Sequence, residues 1–166
     1  MSSQLFLKFL SVLLGILIFS KAANAQLTSD LSLSTGAYED QSYSEISYGL
    51  NWYVSESWVW RNAGWARFSS SAVFGIDTSF RWVFDTTPGK NQLGFAAFAG
   101  PGLRISDSKN TGLIAEGGMV LKAAGLALGG GLKFIYYSSP GQNSAGTTKS
   151  KSDSNVFMII SVGAGF

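Results

Sequence analysis

The sequence predicts an all-β fold: an eight-stranded antiparallel up-and-down barrel that spans a membrane with its apolar face outward. Three observations predict it. Apolar and polar residues alternate with period 2 through nearly all of the chain after Gln26, and no sustained helical stripe interrupts them. Charged residues make up only 13% of the 166 positions, about half the roughly 25% of an ordinary soluble domain. Hydrophobic residues reach 46% and aromatics 14%, and they gather on one face of the strands.

Residues 1–25 read as a cleaved signal peptide, which leaves 26–166 as one barrel domain. Lys8 supplies the positive charge, Phe9 to Phe19 form a short apolar run, and Ala23-Asn24-Ala25 is a small-residue cleavage site before Gln26. The run is shorter than the about 20 residues of a spanning helix. Removing Lys8 and Lys21 from the 12 basic residues leaves 10 against 10 acidic ones, so the formal +2 belongs to this segment. Nothing in the balance calls for nucleic acid.

Strands are expected near 30–38, 44–54, 58–69, 72–84, 92–105, 111–123, 126–137 and 155–166. Each approaches or exceeds the 9–11 residues of a tilted spanning strand. The second sets Ile46, Tyr48, Leu50, Trp52 and Val54 against Ser47, Gly49, Asn51 and Tyr53. The fourth sets Phe74, Ile76, Thr78, Phe80, Trp82 and Phe84 against Gly75, Asp77, Ser79 and Arg81. Turn residues fill the joins at 55–57, 85–91, 106–110 and Ala124-Gly125. The stretches 39–45 and 138–154 read as surface loops. Pro101 cannot donate to a ladder, which predicts a bulge around Gly100-Pro101-Gly102.

Volume decides which face is outside. An eight-stranded barrel has an interior just wide enough for side chains, and the aromatic face would overfill it. The other face is mainly Gly, Ser and Ala, with Arg61, Arg67, Asp77, Arg81, Arg104, Glu116, Lys122 and Lys133. That set predicts a predominantly basic lumen network, pairing Asp77 with Arg61 or Arg81 and Glu116 with Lys122 or Lys133. With both termini on the periplasmic side, Trp52, Trp58, Trp60, Trp82, Phe84 and Phe166 form one interfacial aromatic girdle. Tyr43, Phe68, Phe74 and Tyr136 form the other. Ala97, Ala99, Ala115, Gly117 and Gly130 fall at similar depth on the outer face. This smooth patch is a candidate contact, either for lipid or for a homo-oligomer.

These features resemble the small eight-stranded outer-membrane proteins, the group of the OmpA transmembrane domain and the OmpX-type surface proteins. The last strand ends Val162-Gly163-Ala164-Gly165-Phe166. Its alternating Val162, Ala164 and terminal Phe166 resemble the signal read by the outer-membrane assembly machinery. The resemblance implies an outer-membrane location in a Gram-negative bacterium, with outer-membrane lipids and that machinery as partners.

The chain has no His and no Cys, which removes imidazole and thiolate chemistry and gives no cofactor or metal site. Barrel enzymes that the resemblance brings in, the lipid A deacylases, palmitoyltransferases and larger proteases, rely on an active-site His. The expectation is therefore a non-enzymatic protein for envelope integrity or surface binding through its loops. Alternatives are a narrow porin-like channel with a basic lumen, an atypical lipid-modifying enzyme, and a soluble secreted ligand-binding barrel.

Overall fold

The computed structural model describes residues 27–38, 41–86, 93–106, 111–139 and 150–162. Eight strands follow in order: β1 (Leu27–Tyr38), β2 (Gln41–Ser55), β3 (Trp58–Phe68), β4 (Ala72–Asp85), β5 (Gly94–Ser106), β6 (Gly112–Ala123), β7 (Leu126–Tyr137) and β8 (Ser152–Val162). Each pairs antiparallel with its neighbours in sequence, and β1 pairs with β8 to close the barrel. Closure leaves no free edge, which is what a sheet in hydrocarbon requires. We call the end carrying Leu27 and Val162 the lower rim and the other end the upper rim.

Side chains alternate as the sequence alternates. Leu31, Leu33, Phe74, Phe80, Leu113, Met119, Phe134 and Met158 are exposed on the outer wall, while Arg81, Arg104, Asp77 and Asn51 are almost fully buried inside. A soluble barrel would show the reverse. The chain is a transmembrane β-barrel with its apolar face outward.

The lower turns are tight. Ala124 and Gly125 both have positive φ, 50° and 80°, as a two-residue type I′ hairpin turn requires. Inside, just above this rim, Val59, Val83, Ala96, Phe98, Val120, Ala127, Phe157 and Ile159 make an apolar plug. Phe98 and Phe157 pack in parallel at 6.2 Å. Glycines make room for them: a Cβ on Gly131 would lie 2.7 Å from Phe157 Cζ and 2.1 Å from the Gly117 carbonyl oxygen. A smaller apolar layer of Ile114, Ile135 and Tyr137 sits under the upper rim, with Tyr38 against it.

The structure changes several expectations. β2 and β8 start three residues earlier than expected, at Gln41 and Ser152; Asp153 is therefore a lumen residue and not a loop residue, and Glu45, shared by the expected strand 44–54 and the expected loop 39–45, also lies in the lumen. Tyr43 does not join the upper girdle. It shares the parity of Glu45 and Ser47 and points inward, 3% exposed. Pro101 produces no bulge. The β4–β5 ladder is interrupted opposite Gly100 and Pro101 and resumes in the same register, while β5 stays continuously paired with β6. The missing N–H removes a bond, and the unbroken second ladder holds the strand straight. A register shift does occur at Tyr53/Ser55 in the β2–β3 pair.

Candidate functional site: the charged lumen

Three linked layers of polar side chains fill the barrel above the apolar plug. Strand parity places each of them: residues alternating with lipid-facing Leu, Ile or aromatic neighbours must point to the axis. In the lowest layer Arg61 on β3 holds Asp30 on β1 through Nη2–Oδ1 at 2.6 Å and Nε–Oδ2 at 3.0 Å. Asn51 Nδ2 donates to the same carboxylate at 2.8 Å. Gly49 permits this, since a Cβ there would lie 2.6 Å from the Arg61 guanidinium. On the opposite wall Glu116 accepts from Arg81 Nε at 2.8 Å and from Ser79 Oγ at 2.5 Å.

The middle layer is built around Arg104. It donates to both oxygens of Asp77, each at 2.8 Å, and to both oxygens of Glu45, at 2.8 and 3.0 Å. Lys133 Nζ adds a bond to Asp77 at 2.9 Å. Arg67 Nε donates to Glu45 at 3.2 Å. The guanidiniums also lie on ring faces: Arg104 over Trp65 at 4.2 Å and Arg67 over Tyr43 at 3.8 Å.

The upper layer gathers on Asp153. Tyr43 and Tyr137 donate their hydroxyls to its Oδ2 at 2.8 and 3.0 Å. Arg67 Nη1 donates to the Tyr137 oxygen at 2.9 Å, and Asn155 Nδ2 to the Tyr43 oxygen at 3.3 Å.

Arg61, Arg67, Asp77, Arg81, Arg104, Glu116 and Lys133 all lie in this network. Lys122 sits instead at the lower rim, where it pairs with Asp85. The partners differ from the expected ones. Asp77 pairs with Arg104 and Lys133, and Glu116 with Arg81. The charge balance differs more. Asp30, Glu45 and Asp153 join the two expected acids, so five buried acids face the five buried bases Arg61, Arg67, Arg81, Arg104 and Lys133 among the described residues. The lumen is not predominantly basic. Buried charges persist only when paired and hydrogen-bonded, and here each carboxylate has a cation. Among the described residues no grouping of acids suits a metal ion.

On the outer wall, Trp58, Trp82 and Phe84 are exposed near the lower rim, with Trp52 and Trp60 half-buried beside them. Trp52 packs against Trp60 at 5.8 Å, and Trp58 against Phe80 at 4.9 Å. Ala97, Ala99, Ala115, Gly117 and Gly130 face outward on β5 to β7, with Ala99 opposite Gly117 and Met119 opposite Gly130. Ala164 and Phe166 lie outside the described residues. Val162 ends β8, paired with Ser29 and Leu126.

The solved structure of the outer membrane enzyme PagL is similar to this barrel. The TM-score is 0.51 at 12% identity, over 80% of this chain and 98% of that one. This chain has the fold of the small eight-stranded outer-membrane barrels. No protein-family model and no curated protein matches its sequence. The match also corrects the expectation of a non-enzyme. A barrel of this size serves an enzyme there, so the shape gives no ground for excluding catalysis. The missing His excludes imidazole-based steps and nothing wider.

Proposed function

We propose that this protein is exported by residues 1–25 and inserted into the outer membrane of a Gram-negative bacterium. There it supports envelope integrity or binds partners at the cell surface. The assembly machinery would read Val162, Ala164 and Phe166, and the girdle of Trp52, Trp58, Trp60, Trp82, Phe84 and Phe166 would anchor the lower rim among lipid headgroups. One observation carries this reading: the lumen is filled from wall to wall by charge-balanced ion pairs and an apolar plug. Such a barrel is a rigid post and a poor conduit. Contacts with other molecules then fall to the outer wall and the upper loops. The patch of Ala97, Ala99, Ala115, Gly117 and Gly130 is read as a seat for membrane lipid.

The experiment is fractionation with heat-shift electrophoresis, followed by loss of the gene. The protein should stay with the outer membrane and shift its mobility on boiling. The strain lacking it should become more permeable to a hydrophobic dye, and deleting 140–149 should separate the surface role from the structural one. An unchanged envelope together with unchanged surface binding would remove both roles.

A second reading is an envelope enzyme, favoured by the name of the matched structure and by the Tyr43–Asp153–Tyr137 group. The two hydroxyls and the carboxylate make a buried hydrogen-bonded polar group that needs no imidazole. Mass spectrometry of envelope lipids with and without the protein tests it, and identical spectra would dismiss it.

A further inference from the structure

The upper edge of the lipid-facing wall is not level. On β7 the outward side chains stay apolar or aromatic up to Phe134 and Tyr136, yet their partners on β8 are Ser154 and Ser152. Across the closing seam the same step recurs. Phe68 of β3 faces Ser44 of β2, and Ser44 faces Thr35 of β1. The three rings are exposed on the outer wall, and so are the four hydroxyl residues beside them.

Stagger between the strands does not account for the step. A row of paired residues followed from Ser44 through Thr35 and Val156 around the barrel returns to β2 at Ser55, eleven residues lower. Each strand-to-strand move therefore lowers the row by about one and a half residues, as barrel shear requires. With that drop allowed for, Phe68, Phe74, Ile105, Leu113 and Tyr136 all lie within about two residues of the level of Ser44. On β8, β1 and β2 the apolar wall stops about two to three residues lower, at Val156, Leu33 and Ile46, which is roughly 5 Å on tilted strands. The lower ends do not show this. By the same count exposed Leu27 and Val54 end level with Leu121, Leu126 and Phe84. The wall is thus about 25 Å tall on β7, the usual height of an outer-membrane band, and about 15–20 Å on β1 and β2. Tilting the barrel would only move the shortfall from the upper edge to the lower.

We propose that the bilayer is pinched beside β8, β1 and β2: lipid headgroups and water of the upper leaflet descend to Ser44, Thr35 and Ser154, so this sector stands in thinner membrane than the rest of the barrel. An apolar wall shorter than the bilayer is matched by local thinning. Acyl chains drawn over the ledge would leave its serine hydroxyls without acceptors, a cost in hydrocarbon. Headgroup oxygens and water satisfy them in place. The inference rests on the transmembrane fold alone and holds whichever role the upper loops have.

The absence of Cys makes the test clean. Single-cysteine variants are placed in nanodiscs of palmitoyl-oleoyl phosphatidylcholine and treated with a charged, membrane-impermeant maleimide. Two pairs match in level on opposite sides of the barrel: Thr35→Cys with Leu113→Cys, and Ser154→Cys with Ile105→Cys. The first member of each should react about tenfold faster, because a thiol under acyl chains stays protonated and unreactive. Adding Ser44→Leu and Ser154→Leu to Thr35→Cys raises the apolar wall and should slow that thiol to the rate at position 113. Equal rates within the matched pairs overturn the proposal, and so does a Thr35→Cys rate unmoved by the two leucines. A slow Thr35→Cys thiol that forms a disulfide-linked dimer under copper phenanthroline also overturns it, since a second copy then covers the ledge. Should the variants lack the folded, heat-modifiable mobility, hydroxyl-radical oxidation of the natural chain in the same nanodiscs decides. Leu33 and Val156 should be marked more heavily than Leu103, which lies at their level on the far side, and equal marking overturns the proposal.

Discussion

Arg104 and Glu45 meet across the lumen from strands three apart, joined by two hydrogen bonds of 2.8 and 3.0 Å with both groups essentially unexposed. The same guanidinium grips Asp77 from the other side. One side chain thus ties β2, β4 and β5 together at the centre of the barrel.

Arg104→Met should therefore be the most damaging single lumen substitution. It keeps much of the volume but leaves Asp77 and Glu45 short of a buried counter-charge. Breaking a buried pair from one side costs about 3–5 kcal/mol. Urea unfolding in lipid vesicles, followed by the mobility shift, should show that loss. A change below about 1 kcal/mol would mean that Lys133 and Arg67 take over the charge.

Glycines in the strands should divide by face. Gly131→Ala drives a methyl into the Gly117 carbonyl and the Phe157 ring, so an overpacking cost of about 1–3 kcal/mol is expected. Gly64→Ala enters open space on the outer face and should stay within about 0.5 kcal/mol of the natural chain. The same unfolding assay compares them, and equal effects would refute the packing account of the plug.

The architecture was legible because strand parity is a local property. Once Ile46, Tyr48 and Leu50 face lipid, Ser47, Gly49 and Asn51 must face inward, and closure of eight such strands follows. The charge balance was less legible. Asp153 sits where polar residues precede the apolar alternation, so the last strand seemed to begin after it, and Glu45 fell where the expected loop 39–45 overlapped the expected strand 44–54. Had the parity of Ile46 and Val156 been carried back to Glu45 and Asp153, both acids would have fallen inside. The same step would have moved Tyr43 from the girdle to the lumen. The pairings themselves were not legible. Arg104 reaches Glu45 over three strands, and that depends on strand tilt and side-chain conformation together.

A balanced, filled lumen predicts electrical silence. The purified protein in planar bilayers should pass no steady current at any polarity, since among the described residues five buried acids cancel five buried bases and the apolar plug closes the lower end. A steady anion-selective current that disappears in Arg61→Gln and Arg81→Gln would restore the basic channel.

The rim pair behaves differently from the lumen pairs. Lys122 and Asp85 meet where both side chains reach solvent, 13% and 27% exposed, so water and salt screen their attraction. Exposed pairs contribute about 0–1 kcal/mol, and Lys122→Ala should cost no more. The cost should shrink further in high salt, whereas that of Arg104→Met should hold, because its carboxylate partners lie beyond the reach of mobile ions. Unfolding both variants at low and high sodium chloride checks this contrast, and a Lys122→Ala penalty as large as that of Arg104→Met would show that the lower rim, not the middle layer, holds the barrel closed.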